Sequence, residues 1–366
     1  MAGELVAVAM SGGVDSSVAA ALLKQQGHEV VGLTLQLWPK GSADLDRHHG
    51  CCSLDAVEDA RRVASSLQIP YYVLDVQEEF QARVVKPFVA DYQEGRTPNP
   101  CIACNNEVKF DLLLAKARSM GATALATGHY ARVDRAGDEY RLLRAVDPGK
   151  DQSYVLYGLG QDELRQARFP LGEWRKEDVR AEARRLGLVT AEKPDSVEIC
   201  FVTGGDYREL LARRAQDRGE IRATDGTVLG RHPGVGNYTV GQRSGLGSLP
   251  RGVTGPLYVV DIDPVANVVT VGPRDALRRE VVEVGEMTYV SGRPPSEPFE
   301  AEVRVRYGAA PVAARVEPAG DGSARVLPVE PLSSASPGQA AVLSTGDVIL
   351  GGGRIMRTAV PAPALS

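Results

Sequence analysis

Positive charge is not in excess in this chain: 42 Lys and Arg stand against 47 Asp and Glu, a formal net charge of −5. That balance argues against indiscriminate nucleic-acid binding, which goes with a basic domain, and leaves room only for a selective RNA partner. Local basic surface for such a partner is offered by Arg175-Lys176, Arg184-Arg185, Arg213-Arg214, Arg304 and Arg306, although such charges are usually solvated faces. Long hydrophobic runs are missing too. No stretch approaches the roughly 18 apolar residues of a membrane span, and Met1-Ala2-Gly3-Glu4 sets no basic segment before the short apolar run that follows. The expectation is a cytoplasmic protein with no membrane partner. Cysteine is scarce, five in 366 residues, which excludes a disulfide scaffold and points to thiol or metal chemistry in a reducing compartment. No internal repeat is visible. What is present, 43% hydrophobic and 24% charged residues over this length, is enough for two or three domains.

The most informative segment is Ser11-Gly12-Gly13-Val14-Asp15-Ser16-Ser17, which follows the apolar run Leu5 to Met10 and leads into a helical pattern. A strand, a glycine turn and a helix start in this order let successive N–H groups converge on an anion that the helix dipole also favours. The Gly-Lys-Ser/Thr ending that brings a lysine to the β- and γ-phosphates in many ATPases is missing. A cradle without that clamp suits retention of pyrophosphate while an acceptor attacks the α-phosphorus, with Ser11, Ser16 and Ser17 as hydroxyl donors and Asp15 as a magnesium contact. The chemistry expected is adenylation.

From the start to about residue 130, apolar strand-like runs alternate with helical patterns, as in βαβ units on a parallel sheet. A helix is expected over Ser16 to Gln26, closed by Gly27, and another over Ser53 to Leu67 with Ser53 as its cap. Strands are expected at 30–35, 71–74 and 122–127, the last ending at Gly128-His129 on the carboxyl edge of the sheet, where open α/β sheets bind ligands. After about residue 205, Gly and Pro become frequent and short valine-rich segments appear at 258–262 and 268–271; alternation at 299–307 and the run 340–343 read as further strands. The expected division is a nucleotide-binding catalytic domain over 1–205, a β-rich central domain over 206–282, and a C-terminal β-barrel over 283–360, with a linker near Glu280 to Glu286. The tail from Pro361 to Ser366 is expected to be disordered.

Cys101 and Cys104 lie three apart in a proline-framed loop, Thr97 to Asn105, before a helix containing Phe110, Leu113 and Leu114. Placement at a helix N-terminus lowers a thiol pKa and favours the reactive thiolate. Cys200, in the run Asp195 to Phe201, is a third candidate that sequence alone does not set beside the other two. Cys51-Cys52 follow His48-His49-Gly50, but adjacent cysteines seldom give tetrahedral zinc geometry, so no metal is expected there.

Together the SGGVDSS loop, Thr97 to Asn105, Ala126 to Arg132, Lys150 to Tyr154 and the Cys200 segment resemble the bacterial tRNA-specific 2-thiouridylases, over essentially the whole chain. The resemblance implies an α/β fold: a parallel-sheet adenine nucleotide α-hydrolase-like (PP-loop) domain, a small β-rich central domain and a C-terminal β-barrel. It implies ATP and Mg2+ as cofactors, 2-thiolation of uridine 34 in the tRNAs for lysine, glutamate and glutamine, and a sulfur donor, either a cysteine desulfurase or a relay protein. By matching positions, Ala9, Met10, Ser11, Gly12, Gly13, Val14, Asp15, Ser16, Leu35 and Gly128 would contact ATP. Asn99, Pro100 and Cys101 would face the target base, and His129, Lys150, Asp151, Gln152, Arg306, Tyr307 and Gln339 would touch tRNA. Cys104 would be the nucleophile, Cys200 the persulfide carrier, and a Cys104–Cys200 disulfide would close each turnover. Many members have an aspartate, proposed as a base, where this chain has Cys101. That departure motivates an alternative in which Cys101, Cys104 and Cys200 hold three irons of a [4Fe–4S] cluster carrying sulfide. A PP-loop enzyme that adenylates a small molecule, and an RNA-binding protein without catalysis, are further alternatives.

Overall fold

The structure, a computed structural model, describes residues 3–37, 54–195, 200–201, 218–246, 255–333 and 335–356. Its first layer is a five-stranded parallel sheet with β1 (Leu5–Ala9) at the centre, flanked by β2 (Glu29–Gln36) and then β3 (Tyr71–Asp75) on one side. On the other side lie β4 (Ala124–Ala126) and the short β7 (Ala167–Arg168). The continuous apolar run of β1 fits a central strand covered on both faces; Val6, Ala7 and Val8 have no exposed surface.

Helix Val14–Gln25 packs Val18, Ala19, Leu22 and Leu23 against one face of the sheet and ends where Gly27 takes φ +86°, a left-handed angle that costs glycine little. The second helix is Leu54–Ser66; its expected cap, Ser53, lies outside the described residues, as do Cys51-Cys52 and the tail 361–366. At the carboxyl ends of β2 and β3, Leu37, Val76, Phe80, Val84, Phe88 and Val108 form a separate hydrophobic cluster.

A hairpin leaves this domain after β4. Strands β5 (Ala131–Ala136) and β6 (Glu139–Arg144) turn at Gly137, with φ +66°, and β6 then pairs with strand Val348–Ile355, Leu143 opposite Val348 and Leu142 opposite Ile349. The nucleotide domain thereby contributes two strands to the sheet of the C-terminal barrel.

The middle of the chain forms a four-stranded sheet of Gly219–Ala223, Val228–His232, Tyr258–Asp263 and Val268–Gly272 over a small core containing Ile221, Val259, Ile262, Val269 and Val271. Six antiparallel strands follow: Val282–Tyr289, Phe299–Arg304, Val312–Pro318, Ala324–Pro328, Ala340–Thr345 and Val348–Ile355, closed into a barrel where the first meets the last at Val284 and Ile355. The linker expected near Glu280 to Glu286 is corrected here. From Val282 the chain is already strand, with Val282 and Val284 in the barrel core; the break in register between Gly285 and Thr288 is what hid the alternation.

Candidate active site

The glycine loop folds as the sequence pattern demands. Gly12 takes φ +70°, and a Cβ there would lie 2.0 Å from the Ala56 carbonyl oxygen, so the bend requires glycine for both angle and space. Gly13 caps the helix without a side-chain bond, leaving the first-turn N–H groups to an incoming anion. Hydroxyls frame them: Ser16 Oγ accepts from Ser11 N at 3.1 Å and lies 3.2 Å from Ser11 Oγ, while Ser17 Oγ donates to Gly13 O at 2.8 Å. From the end of β4, Gly128 comes so close that a Cβ would sit 2.7 Å from Ser16 N. Below, Thr34 donates to Met10 O at 2.6 Å and Tyr71 donates to Thr34 Oγ1 at 2.9 Å, tying β2 and β3 to the mouth of the loop.

Asp15, the expected magnesium contact, is engaged by protein groups. Lys176 Nζ donates to its two oxygens at 2.7 and 2.8 Å, and Tyr130 Oη donates to Oδ1 at 2.8 Å. The same ammonium pairs with Asp195 at 2.9 Å, which also takes Lys150 at 2.7 Å and Arg180 at 2.7 Å. Burial alone would raise the Asp195 pKa, but hydrogen bonds from Lys150 and Lys176 and their charges bring it down to about 2. The bond to Asp195 in turn raises the Lys150 pKa. A further lysine, Lys193, donates to Gly12 O at 2.9 Å and pairs with Asp59 at 2.7 Å. None of Lys176, Lys193, Tyr130 and Asp195 stood out as loop partners in the sequence; Arg175-Lys176 read there as basic surface. In the fold the Lys176 side chain is only 12% exposed. Arg304 is likewise turned inward onto Asp151, Arg184 and Arg185 pair with Glu192 and Glu182, and Arg213-Arg214 lie outside the described residues.

Cys101 and Cys104 do not lie in a loop ahead of a helix but within its opening turns. The segments Pro100–Ala103, Cys104–Leu113 and Leu114–Ser119 run on as one helix, the middle one in the wider π geometry often found at functional sites. Pro100 takes the first position, and Asn99 caps it by accepting from Cys101 N at 3.1 Å. Cys101 is exposed; Cys104 and Cys200 are half-buried and pack against the same hydrophobic cluster at the ends of β2 and β3, where Leu35 also packs. Phe201 anchors the Cys200 side by edge-to-face contacts with Phe80 and Phe88, centroids 5.6 and 5.2 Å apart. Such pairs add about 0.5–1.5 kcal/mol each beyond their buried area. Among the described residues, no three His, Cys, Asp or Glu side chains converge as a metal-holding group.

The residues expected at tRNA divide. Arg306 and Tyr307 are exposed on the barrel, Tyr307 edge-on to Tyr154 at 6.1 Å. Partial burial at its base, followed by the charge of Asp151, raises the Tyr307 pKa. Others among them are buried or held by named protein partners. His129 is buried, its Nδ1 2.7 Å from Thr127 Oγ1, and burial first and Lys109 second hold its pKa well below 6.5. Asp151 is buried and accepts from Ala145 N, Ser153 N, Ser153 Oγ and Arg304 Nη1 at 3.0 to 3.2 Å. Gln152 Oε1 accepts from Tyr130 N at 3.0 Å, and Gln339 Nε2 donates to Thr97 O at 2.7 Å.

This is a PP-loop α/β domain joined to a β-rich middle domain and a six-stranded barrel, with a glycine loop after β1 and two thiols packed at the carboxyl ends of β2 and β3. Three family models match in succession: one described as tRNA methyl transferase HUP domain over 4–204, one as tRNA methyl transferase PRC-barrel domain over 208–273, and one as aminomethyltransferase beta-barrel domain over 279–355. A tRNA-specific 2-thiouridylase from Roseiflexus is 48% identical over 96% of this chain and 99% of the relative, and one from Carboxydothermus hydrogenoformans 50% identical over 96% and 97%. A solved NMN synthetase from Francisella tularensis is similar over 57% of this chain and 72% of its own, at 20% identity and TM-score 0.33. The chain belongs to the tRNA-specific 2-thiouridylase family.

Proposed function

We propose that this protein is an ATP-dependent tRNA-uridine 2-sulfurtransferase of the cytoplasm, acting on wobble uridine 34 with sulfur from a Cys200 persulfide. The observation that carries the reading is that Cys104 and Cys200, far apart in sequence, pack on one hydrophobic cluster at the sheet edge where the glycine loop opens. Uridine O2 is a poor leaving group. Its attack on the α-phosphorus of ATP forms an adenylated base and expels pyrophosphate into the loop, whose N–H groups and Ser11 and Ser16 hydroxyls receive the charge. Asp15 would hold Mg2+, which offsets phosphate charge when bound.

The terminal sulfur of the persulfide then adds to C2 and AMP leaves with the original oxygen. Cys104 thiolate attacks the inner sulfur of Cys200, the S–S bond of the persulfide breaks, and 2-thiouridine is released with a Cys104–Cys200 disulfide behind it. An external thiol reductant restores the pair, and a cysteine desulfurase or relay protein reloads Cys200.

Cys101, Cys104 and Cys200 are not among any metal-holding group of the described residues, which favours the persulfide over the [4Fe–4S] route. The test is nucleoside analysis of unmodified tRNA incubated with purified protein, ATP and a sulfide source, with iron and labile sulfide measured in anaerobically isolated protein. ATP-dependent 2-thiouridine at position 34 from iron-free protein is expected. A methylated base would instead match the activity named in the family models' descriptions, turnover of a small acceptor with none on tRNA would indicate small-molecule adenylation, and activity tracking iron content would establish the cluster route.

A further inference from the structure

The sequence offers no lysine within the glycine loop, yet the fold delivers one from 161 residues away. Lys176 Nζ spends its donors on Asp15 Oδ1 and Oδ2, at 2.7 and 2.8 Å, and on Asp195 Oδ1 at 2.9 Å. It lies 5.8 Å from the centre of the Tyr130 ring, its side chain 12% exposed. Asp15 sits in the first turn of helix Val14–Gln25, so this ammonium stands beside the N–H groups that would meet a phosphate. A partly buried lysine held by two carboxylates at an anion cradle has a second use beyond pairing. An arriving polyanion competes with Asp15 for it, and a short swing of a flexible four-carbon stem exchanges one oxygen acceptor for another. Lys193 is differently placed: bound to Gly12 O and Asp59, it braces the loop backbone.

We propose that Lys176 is the catalytic cation of this site, leaving Asp15 to bind the pyrophosphate portion of a nucleoside triphosphate and to neutralise the charge that builds on it as the bond to the α-phosphorus breaks. It does from the start of helix Lys176–Arg185 what the loop lysine does in other nucleotide-binding folds. Tyr130 and Asp195 are positioning residues, holding Asp15 and Lys176 in register while the cradle is empty. This rests on the adenylation reading above.

The test is titration of the full-length protein, without tRNA and without metal, with inorganic pyrophosphate, ATP and AMP, comparing wild type with Lys176→Met and Lys176→Arg. Loss of a charge-assisted contact predicts that Lys176→Met weakens pyrophosphate and ATP binding by about tenfold or more. AMP, which carries no pyrophosphate, should bind within about twofold of wild type, and Lys176→Arg should keep most of the pyrophosphate affinity. Because Lys176→Met leaves Asp15 without its counter-ion, the double variant Asp15→Asn/Lys176→Met removes both charges and should show the same loss even if the single variant folds poorly. Equal pyrophosphate affinity in wild type and either methionine variant overturns the inference while leaving adenylation standing. A wild type that binds neither ATP nor pyrophosphate, with Mg2+ added as well as without it, overturns both.

Discussion

Gln339 Nε2 donates to Thr97 O at 2.7 Å, joining residues 242 apart in sequence. The bond belongs to a seam. Thr97 N donates to Pro337 O at 2.7 Å, Gly338 approaches so closely that a Cβ would lie 2.8 Å from Thr97 N, and Arg96 and Arg354 share the buried carboxylate of Asp91. Thr97 leads directly into the helix that carries Cys101 and Cys104. The barrel therefore holds the approach to the thiols, apart from any contact it makes with RNA.

Gln339→Ala should thus alter the thiols as well as the substrate complex. Loss of one partly buried hydrogen bond predicts a stability decrease of about 1 kcal/mol and a changed rate of Cys104 alkylation by iodoacetamide with tRNA absent. Unchanged alkylation accompanied by weaker tRNA binding would make Gln339 a pure RNA contact.

Cys104→Ser and Cys200→Ser should each abolish 2-thiouridine formation while nucleotide affinity, measured by equilibrium titration, stays at the wild-type value. Both side chains are half-buried at the edge of a cluster rather than in its centre, so the isosteric change should leave the fold intact. Thiolation that survives in either variant removes that cysteine from the sulfur route.

The three glycines at the cradle should respond in a graded way. In Gly12→Ala the methyl meets Ala56 O at 2.0 Å at a left-handed backbone angle, and in Gly128→Ala it meets Ser16 N at 2.7 Å; both neighbours are backbone and yield little. In Gly13→Ala the closest atom is Ser11 Oγ at 3.4 Å, an ordinary contact. Nucleotide affinity should fall by about tenfold or more in the first two variants, equivalent to a loss of about 1.4 kcal/mol or more, and change least in the third. Equal affinities in all three would disconnect the bend from nucleotide binding.

Acid should loosen the loop partners through Asp195. Its folded pKa of about 2 lies below the ordinary aspartate value of about 3.9. The folded state therefore binds fewer protons in between, and the contribution of Asp195 is complete above about pH 4 and disappears as pH falls through about 2. His129 acts in the same direction at milder pH: burial depresses its pKa, so its contribution is complete above about pH 6.5 and declines as pH drops below that value. Melting temperatures between pH 7 and 2 should decline in both ranges, and Asp195→Asn should flatten the lower one. An unchanged slope in that variant would show that other carboxylates govern acid unfolding.

What could be read from sequence was local. The strand, bend and helix from Leu5 to Gln25 were legible because the apolar run, the two glycines and the helical pattern all lie within about one structural unit. The parallel sheet followed from the alternation of strands and helices, and one barrel strand from period-two spacing read over 299–307, of which Phe299–Arg304 is strand. What escaped was set by pairing across long separations. Lys176 finds Asp15, and Leu142 finds Ile349, only after separate segments dock; nothing near Lys176 distinguishes it from exposed basic residues. The register break after Gly285 likewise interrupts the alternation that marks Val282–Tyr289 as strand.

The hairpin Ala131–Arg144 gives the two ends of the molecule a shared fate. If the polypeptide were cut between the middle sheet and the barrel, β6 would lose its partner Val348–Ile355 and present unsatisfied backbone to solvent, a template for self-association. Expressed separately, the amino-terminal half should clump, and adding back the missing half in trans should rescue it.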